Sequence, residues 1–377
     1  MSKFIKNALT TTALSLGLCA GVAQADTYMA TNWMAPSHIL NEFAYVPYVA
    51  DISAATDGAV EFEIYSSGSL VPAPTTLSAV GDGVAQLGIV AASYTPSELP
   101  LSGMINDMAF TARDAFATAF ALTELGLTNQ KLVEEYGKHN TVFLGGYSTP
   151  TYVMMCMKDV TDLAGLNGTK VRTAGTAQNE WIGSISGVPV AVPMTDAYSG
   201  LERGSIDCML SDPTNLGKGY MFWEVVKSIT TLEQGTSLGA TYVYNKDFWA
   251  GLTPEQRRAI LDATATGLAR SQVNYAENVE SGLAGAQERG ITLNEPSEDL
   301  VAALADFRAK MVEGLPARTA SERGIDDPSD VLAEYVALEE KWFNLLQDVD
   351  RSDTEAVAQL VRDELFSKID ENSYGLN

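Results

Sequence analysis

The stretch "LTPEQRRAILDATATGLARSQVNYAENVESGLAGAQERG", residues 252–290, decides the architecture. Thr253 is suited to cap a helix, Pro254 fits the first helical position, and Gln256 completes a capping box. No proline follows before Gly290. The spacing therefore predicts one helix of about 36 residues, about 54 Å long at 1.5 Å per residue. A compact lobe of ordinary size has no need of such length. The helix is expected to run along two lobes as a shared spine.

Outward from the spine, strand and helix alternate. TYMATNW (27–33), AVEFEIYSSG (59–68) and AQLGIVAAS (85–93) read as strands. Residues 38–56 read as a helix kinked at Pro47, 74–83 as a short helix, and 113–138 as further helix. Strands TVFLGGY and TYVMMCM follow, then GTKVRTAGT (168–176), a strand that ends in Arg172 and breaks at Thr173-Ala174-Gly175. A helix at 177–186, strand VPVAV, a helix at 195–203 and strand SIDCML complete the pattern. Repeated strand–helix–strand order means an α/β fold with largely parallel sheets covered on both faces.

Composition bounds the function. Residues 1–25, MSKFIKNALTTTALSLGLCAGVAQA, have two lysines, an apolar run and a small-x-small end, the form of a cleaved secretory signal. Cys19 follows the large Leu18, which argues against a lipoprotein site. Without that segment 22 basic residues face 48 acidic ones, a net charge of −26 that disfavours nucleic acid and anionic membrane surfaces. Cys156 and Cys208 remain, free to pair in an oxidising compartment or to stay buried as thiols. The remaining length exceeds what one core serves, and with no linker in sight the lobes are expected to be interleaved.

Chemistry is sparse. His38 and His139 lie far apart, beside a predicted helix start and in a polar loop, so neither metal nor cofactor is expected. GSISG (183–187) puts Ile185 where a nucleophile elbow has serine, and GDGVAQ (81–86) precedes a strand where a dinucleotide fingerprint would follow one. On the residues alone, Arg172 has two readings: an internal salt bridge, or contact with an anionic ligand.

The order "DLAGLNGTKVRTAG … GVPVAVPMTDAYSGLERGSIDCML … WEVVKSITTLEQGTSLGATYVYNKDFWAGLTPEQ" resembles the solute-binding proteins of tripartite ATP-independent periplasmic (TRAP) transporters, of the C4-dicarboxylate-binding type. The matching positions are Lys170 and Arg172, Gly187 and its strand, Tyr198 with Leu201 and Gly204, Asp207, and Asn245-Lys246. The likeness covers most of residues 27–290 and thins after 315.

The resemblance implies a two-lobe periplasmic binding protein fold that clamps a solute and performs no catalysis. One lobe would be 26–149 plus 238–278, the other 150–237 plus 279–377, with hinge strands near 146–152 and 234–242. A C-terminal helical extension from residue 318, with Leu332, Tyr335, Leu338, Trp342 and Leu345 on one face, is expected to pack on the second lobe. The family's anchor falls on Arg172, expected to wait in water for a solute carboxylate, which a guanidinium grips with two parallel hydrogen bonds. Sialic-acid-type members carry a second arginine where this chain has Tyr152. Wall residues would be Trp33, Tyr94, Tyr152, Met194 and Trp223, with Ser93, Ser211, Asp212 and Asn215 fixing polar groups. The implied solute is a small monocarboxylate with an apolar, aromatic or cationic remainder. The implied partners are that solute and the TRAP membrane permease, for a periplasmic monomer. An ABC-type or sensory binding protein, or an exported hydrolase, is the alternative.

Overall fold

A computed structural model describes residues 27–376, so the expected signal segment lies outside the described residues. Among the described residues eleven strands form two sheets. The first holds β1 (Thr27–Thr31), β2 (Glu61–Tyr65), β3 (Leu87–Val90), β4 (Thr141–Ser148) and β10 (Leu238–Asn245), in the order β2-β1-β3-β10-β4. The second holds β5 (Val153–Cys156), β6 (Lys170–Thr173), β7 (Val188–Ala191), β8 (Cys208–Ser211), β9 (Ser228–Thr230) and β11 (Thr292–Asn294), in the order β11-β9-β5-β8-β6-β7. Each sheet centres one lobe of a two-lobe α/β fold. Antiparallel pairing enters where the chain changes lobes: β10 runs against β3 and β4, and β5 against β8 and β9.

Two crossings lie side by side. Residues 149–152 and 231–237 are hydrogen-bonded to each other, with Tyr152 N donating to Gly235 O at 2.7 Å and Thr149 N to Ser237 O at 3.0 Å. The spine is the helix Pro254–Glu288, 35 residues long, opened by the Thr253/Gln256 capping box. Its first two thirds bury Ile260, Leu268 and Tyr275 in the first lobe, and its end buries Ala286 in the second. Gly282 lets it lie on the loop after β8: a Cβ there would meet Pro213 O at 2.4 Å. A second bridging helix, Glu298–Arg323, buries Leu300, Leu304 and Met311 in the second lobe and Leu315 in the first.

Pro47 does not kink a continuous helix. Residues Leu40–Tyr45 form a π-helical turn and Val46–Ala55 an α-helix, so Pro47 falls in the first α-turn, where its missing N–H is not needed. Cys156 and Cys208 face each other across β5 and β8, Cα atoms 4.0 Å apart, and are joined as a disulfide.

The C-terminal extension goes elsewhere than expected. Helices Ser329–Leu345 and Thr354–Glu364 pack on the first lobe, not the second. Tyr335 and Trp342 are buried against the helix Ala115–Thr128, and Val357 and Val361 join the same core. Polar contacts fix the address, because the Glu124 carboxylate accepts from both Trp342 Nε1 and Lys341 Nζ, each at 2.7 Å. The apolar stripe called for burial; the complementary donors and acceptor lie on the first lobe. Among the described residues no helix is long and apolar enough to cross a membrane.

Candidate functional site

Arg172 is the penultimate residue of β6, the strand between β8 and β7 in the second sheet's parallel part, in register with Met209 of β8 and Val190 of β7. Two edges of its guanidinium meet carbonyls of those neighbours: Nε donates to Val192 O at 3.0 Å and Nη1 to Leu210 O at 3.2 Å. Nη2 donates to the Tyr94 hydroxyl at 3.3 Å. All three acceptors are neutral oxygens, so among the described residues no acid neutralises this arginine by direct hydrogen bonding. The side chain is 0% exposed, so the guanidinium is dry while the lobes are in contact, and the hydrated form expected of it belongs to an open cleft. The reason is Tyr94. It belongs to the segment after β3 in the first lobe, and its hydroxyl also accepts from the backbone N–H of Met194 at 3.2 Å. One oxygen of the first lobe thus receives two hydrogen bonds from the second.

Beside this contact, between the lobes, is a cavity of about 40 Å³. The first lobe contributes Trp33, Ser93, Tyr94 and Tyr147, with the Trp33 and Tyr94 rings edge to face at 5.9 Å. The second contributes Met194, Asp212, Asn215 and Tyr220; Tyr152 comes from the crossing and Tyr275 from the spine. No lysine or arginine lines it, Arg172 standing one layer back behind Tyr94. Ser211 is also one layer back, holding Asn215. Trp223 is elsewhere. The left-handed turn at Met221 (φ 56°) sends Phe222 into the core and Trp223 to the lobe's outer side, where its ring stacks under the Arg289 guanidinium at 3.8 Å.

Asp212 caps the short turn Pro213–Leu216. One carboxylate oxygen accepts from Thr214 N at 3.1 Å and from the Thr214 hydroxyl; the other accepts from Asn215 Nδ2 at 2.8 Å. Burial pushes its pKa up to about 6, the Thr214 and Asn215 bonds holding it from rising further. Asn215 Nδ2 is shared with Ser211 Oγ at 3.2 Å, while Asn215 Oδ1 is buried with no partner. Burial pulls His38 down to about 3, so the imidazole is neutral; its Nδ1 accepts from Leu40 N at 3.2 Å. Burial likewise raises Tyr147, Tyr152, Tyr220 and Tyr275, which stay protonated.

Sequence reasoning missed nine lining residues, four of them with rings: His38, Tyr147, Tyr220 and Tyr275. Tyr147 was findable, since it lies at the end of β4 within the expected hinge strand 146–152 that also holds Tyr152. Tyr275 occupies the stretch of the spine that passes between lobes. His38 and Tyr220 meet only in three dimensions, ring centroids 5.6 Å apart.

Residues 29–315 match the family model of bacterial extracellular solute-binding protein, family 7. The outer membrane transporter protein TsaT of Comamonas testosteroni is 22% identical over 321 residues, 84% of this chain and 94% of that protein. Among solved structures, the extracytoplasmic solute receptor DctP7 of Bordetella pertussis, binding pyroglutamic acid, is 23% identical with a TM-score of 0.72, covering 83% of this chain and all of that one. A TRAP solute-binding protein of Rhodoferax ferrireducens, in complex with copurified benzoate, is 20% identical with a TM-score of 0.74, covering 85% and 99%.

Proposed function

The chain belongs to the bacterial extracellular solute-binding proteins of family 7, and from that premise we propose that it captures a small monocarboxylic acid between its lobes and delivers it, unaltered, to a TRAP permease. The observation that carries this reading is the pair of donors, Arg172 Nη2 and Met194 N, that meet on one oxygen from the other lobe. When the lobes part, Tyr94 leaves with the first, and both donors face the gap with nothing but water to satisfy them. A carboxylate supplies two oxygens with the geometry a guanidinium prefers. Closure then removes water and strengthens the contact, so the solute shifts the population toward the closed form that the permease reads.

One carboxylate is what the site can neutralise. A second would lie among buried tyrosines and Asp212, with no further cation lining the cavity. The moving bodies on this reading are residues 27–149 with 238–278, and 150–237 with 279–297 and the start of helix Glu298–Arg323, while the C-terminal helices travel with the first. The protein acts as a periplasmic monomer after removal of residues 1–25. DctP7 with pyroglutamic acid and the Rhodoferax protein with benzoate support the solute class.

Mass spectrometry of acid released from the purified protein is expected to return an intact carboxylic acid. Calorimetry with that acid tests the anchor. Removing one partner of a buried charge pair costs roughly 3–5 kcal/mol, two to three and a half decades of affinity. Arg172→Ala is expected to lose that much, and Arg172→Lys to bind poorly. A Kd for Arg172→Ala within threefold of wild type overturns the assignment.

A further inference from the structure

Asn215 lines the interlobe cavity and carries a buried acceptor without a partner, which its neighbours prevent from being anything else. The side chain is 2% exposed and lines the cavity, and Oδ1 has no partner. The amide cannot turn over to relieve this. Its Nδ2 donates to Asp212 Oδ2 at 2.8 Å and to Ser211 Oγ at 3.2 Å, so a flip would set the amide oxygen against a carboxylate. Asp212 is itself fixed by Thr214 N and the Thr214 hydroxyl, and the loop carrying all three is held by the spine at Gly282. The next residue, Pro213, has no N–H to offer. A buried acceptor that is rigid and unmatched is unusual in a native protein, because the loss of its water is uncompensated.

We propose that Asn215 Oδ1 receives an N–H or O–H of the solute, and that the native solutes are therefore small monocarboxylic acids bearing a hydrogen-bond donor elsewhere on the molecule: a ring N–H, a hydroxyl or an ammonium. Asn215 is the specificity residue and Asp212 the positioning residue that orients it. This rests on the carboxylate reading above and adds to it the second polar contact. An acid with no donor fills the same space but leaves Oδ1 dry and unpaired. Discrimination of this kind is large because the penalty falls on the wrong ligand.

The test uses matched acids differing by one donor, titrated by calorimetry into the chain from residue 26: benzoate against 3-hydroxybenzoate, and cyclopentanecarboxylate against proline and pyroglutamate. In at least one set the donor-bearing acid is expected to bind on the order of ten- to a hundred-fold tighter. Asn215→Leu, similar in shape, is expected to erase that preference while the donor-free acid stays within about threefold. Should Asn215→Leu fail to fold by circular dichroism, Asp212→Asn serves in its place. It lets the Asn215 amide reorient and is expected to shrink the same ratio. Equal affinity within every set, or no binding by any donor-bearing acid, overturns the proposal. Two failures remain distinct: if donor-free acids bind and need Arg172, only the Asn215 inference is lost. If neutral analogues such as 3-hydroxybenzamide bind as tightly as the acids, the carboxylate reading is lost and the donor preference stands.

Discussion

Two buried arginines in this molecule look alike and do different things. Arg172 lies beside the interlobe cavity, and Arg257 lies under the chain's C-terminal turns; they are 0% and 5% exposed. Neither hydrogen-bonds to a carboxylate. Arg257 donates through Nε to Glu371 O at 2.6 Å and through Nη1 to Leu252 O at 2.6 Å and Trp249 O at 3.3 Å. Around it Trp249 Nε1 donates to Tyr374 O and the Tyr374 hydroxyl to Phe143 O, so the seam is closed on every side within the first lobe. At Arg172 one acceptor of three is a side-chain hydroxyl from the other lobe. The difference that matters is neither charge nor burial. It is whether one acceptor can leave and be replaced.

The largest expected effect tests that distinction from the structural side. Arg257→Ala removes three charge-assisted hydrogen bonds and orphans buried carbonyls, at a cost of about 3–5 kcal/mol in unfolding free energy. Solute affinity is expected to stay within threefold of wild type. Urea unfolding and calorimetry on the same preparation check both halves. A variant of normal stability, or one that binds as poorly as Arg172→Ala, breaks the contrast between the two sites.

Asp212 gives the next effect, and its sign is opposite to the usual carboxylate case. Its pKa is raised from 3.8 to about 6 by burial, so the folded protein holds this proton more tightly than the unfolded chain does. The group's contribution to stability is therefore most favourable below pH 4, falls as pH rises through 6, and is fully unfavourable above. The span is on the order of 3 kcal/mol. Asp212→Asn cannot ionise and lacks this slope. Unfolding at pH 4.5, 5.5 and 7 is expected to show the variant gaining on wild type as pH rises; parallel curves would show that the carboxylate is better solvated than its burial implies.

What the sequence made legible follows from local physics. The spine was readable because Thr253, Pro254 and Gln256 sit together before a long proline-free run, and all the information lies within one segment. Trp33, Ser93, Tyr94, Tyr152, Met194, Asp212 and Asn215 line one cavity, at positions close to strand ends or crossings that the chain order already exposed. Trp223 went astray because a left-handed Met221 reverses which of two adjacent aromatics faces inward, and nothing in the residue string requires φ > 0 at a methionine. The contact that keeps Arg172 dry here was illegible for a similar reason: Tyr94 is 78 residues away, and only the closed arrangement of lobes puts its hydroxyl there. The C-terminal helices show the limit most simply. A stripe such as Leu332, Tyr335 and Trp342 states that a face is buried and carries no address.

That address also separates the seam's strong contacts from its decorative ones, and gives the smallest effect. Lys131 Nζ lies 2.7 Å from Asp330, joining the helix Gln130–Gly137 to the start of the C-terminal extension, and looks like a tether. Both side chains are about half exposed or more, at 49% and 65%, so water screens the pair and ordering two mobile groups offsets its attraction. Lys131→Ala is expected to change unfolding free energy by about 0–1 kcal/mol, less still in high salt. If the tail is held by Trp342 and Tyr335 in the first lobe's core, protease sensitivity of residues 329–376 stays at the wild-type level in this variant. A tail released by Lys131→Ala alone would mean that the exposed pair, and not the buried rings, sets its position on the first lobe.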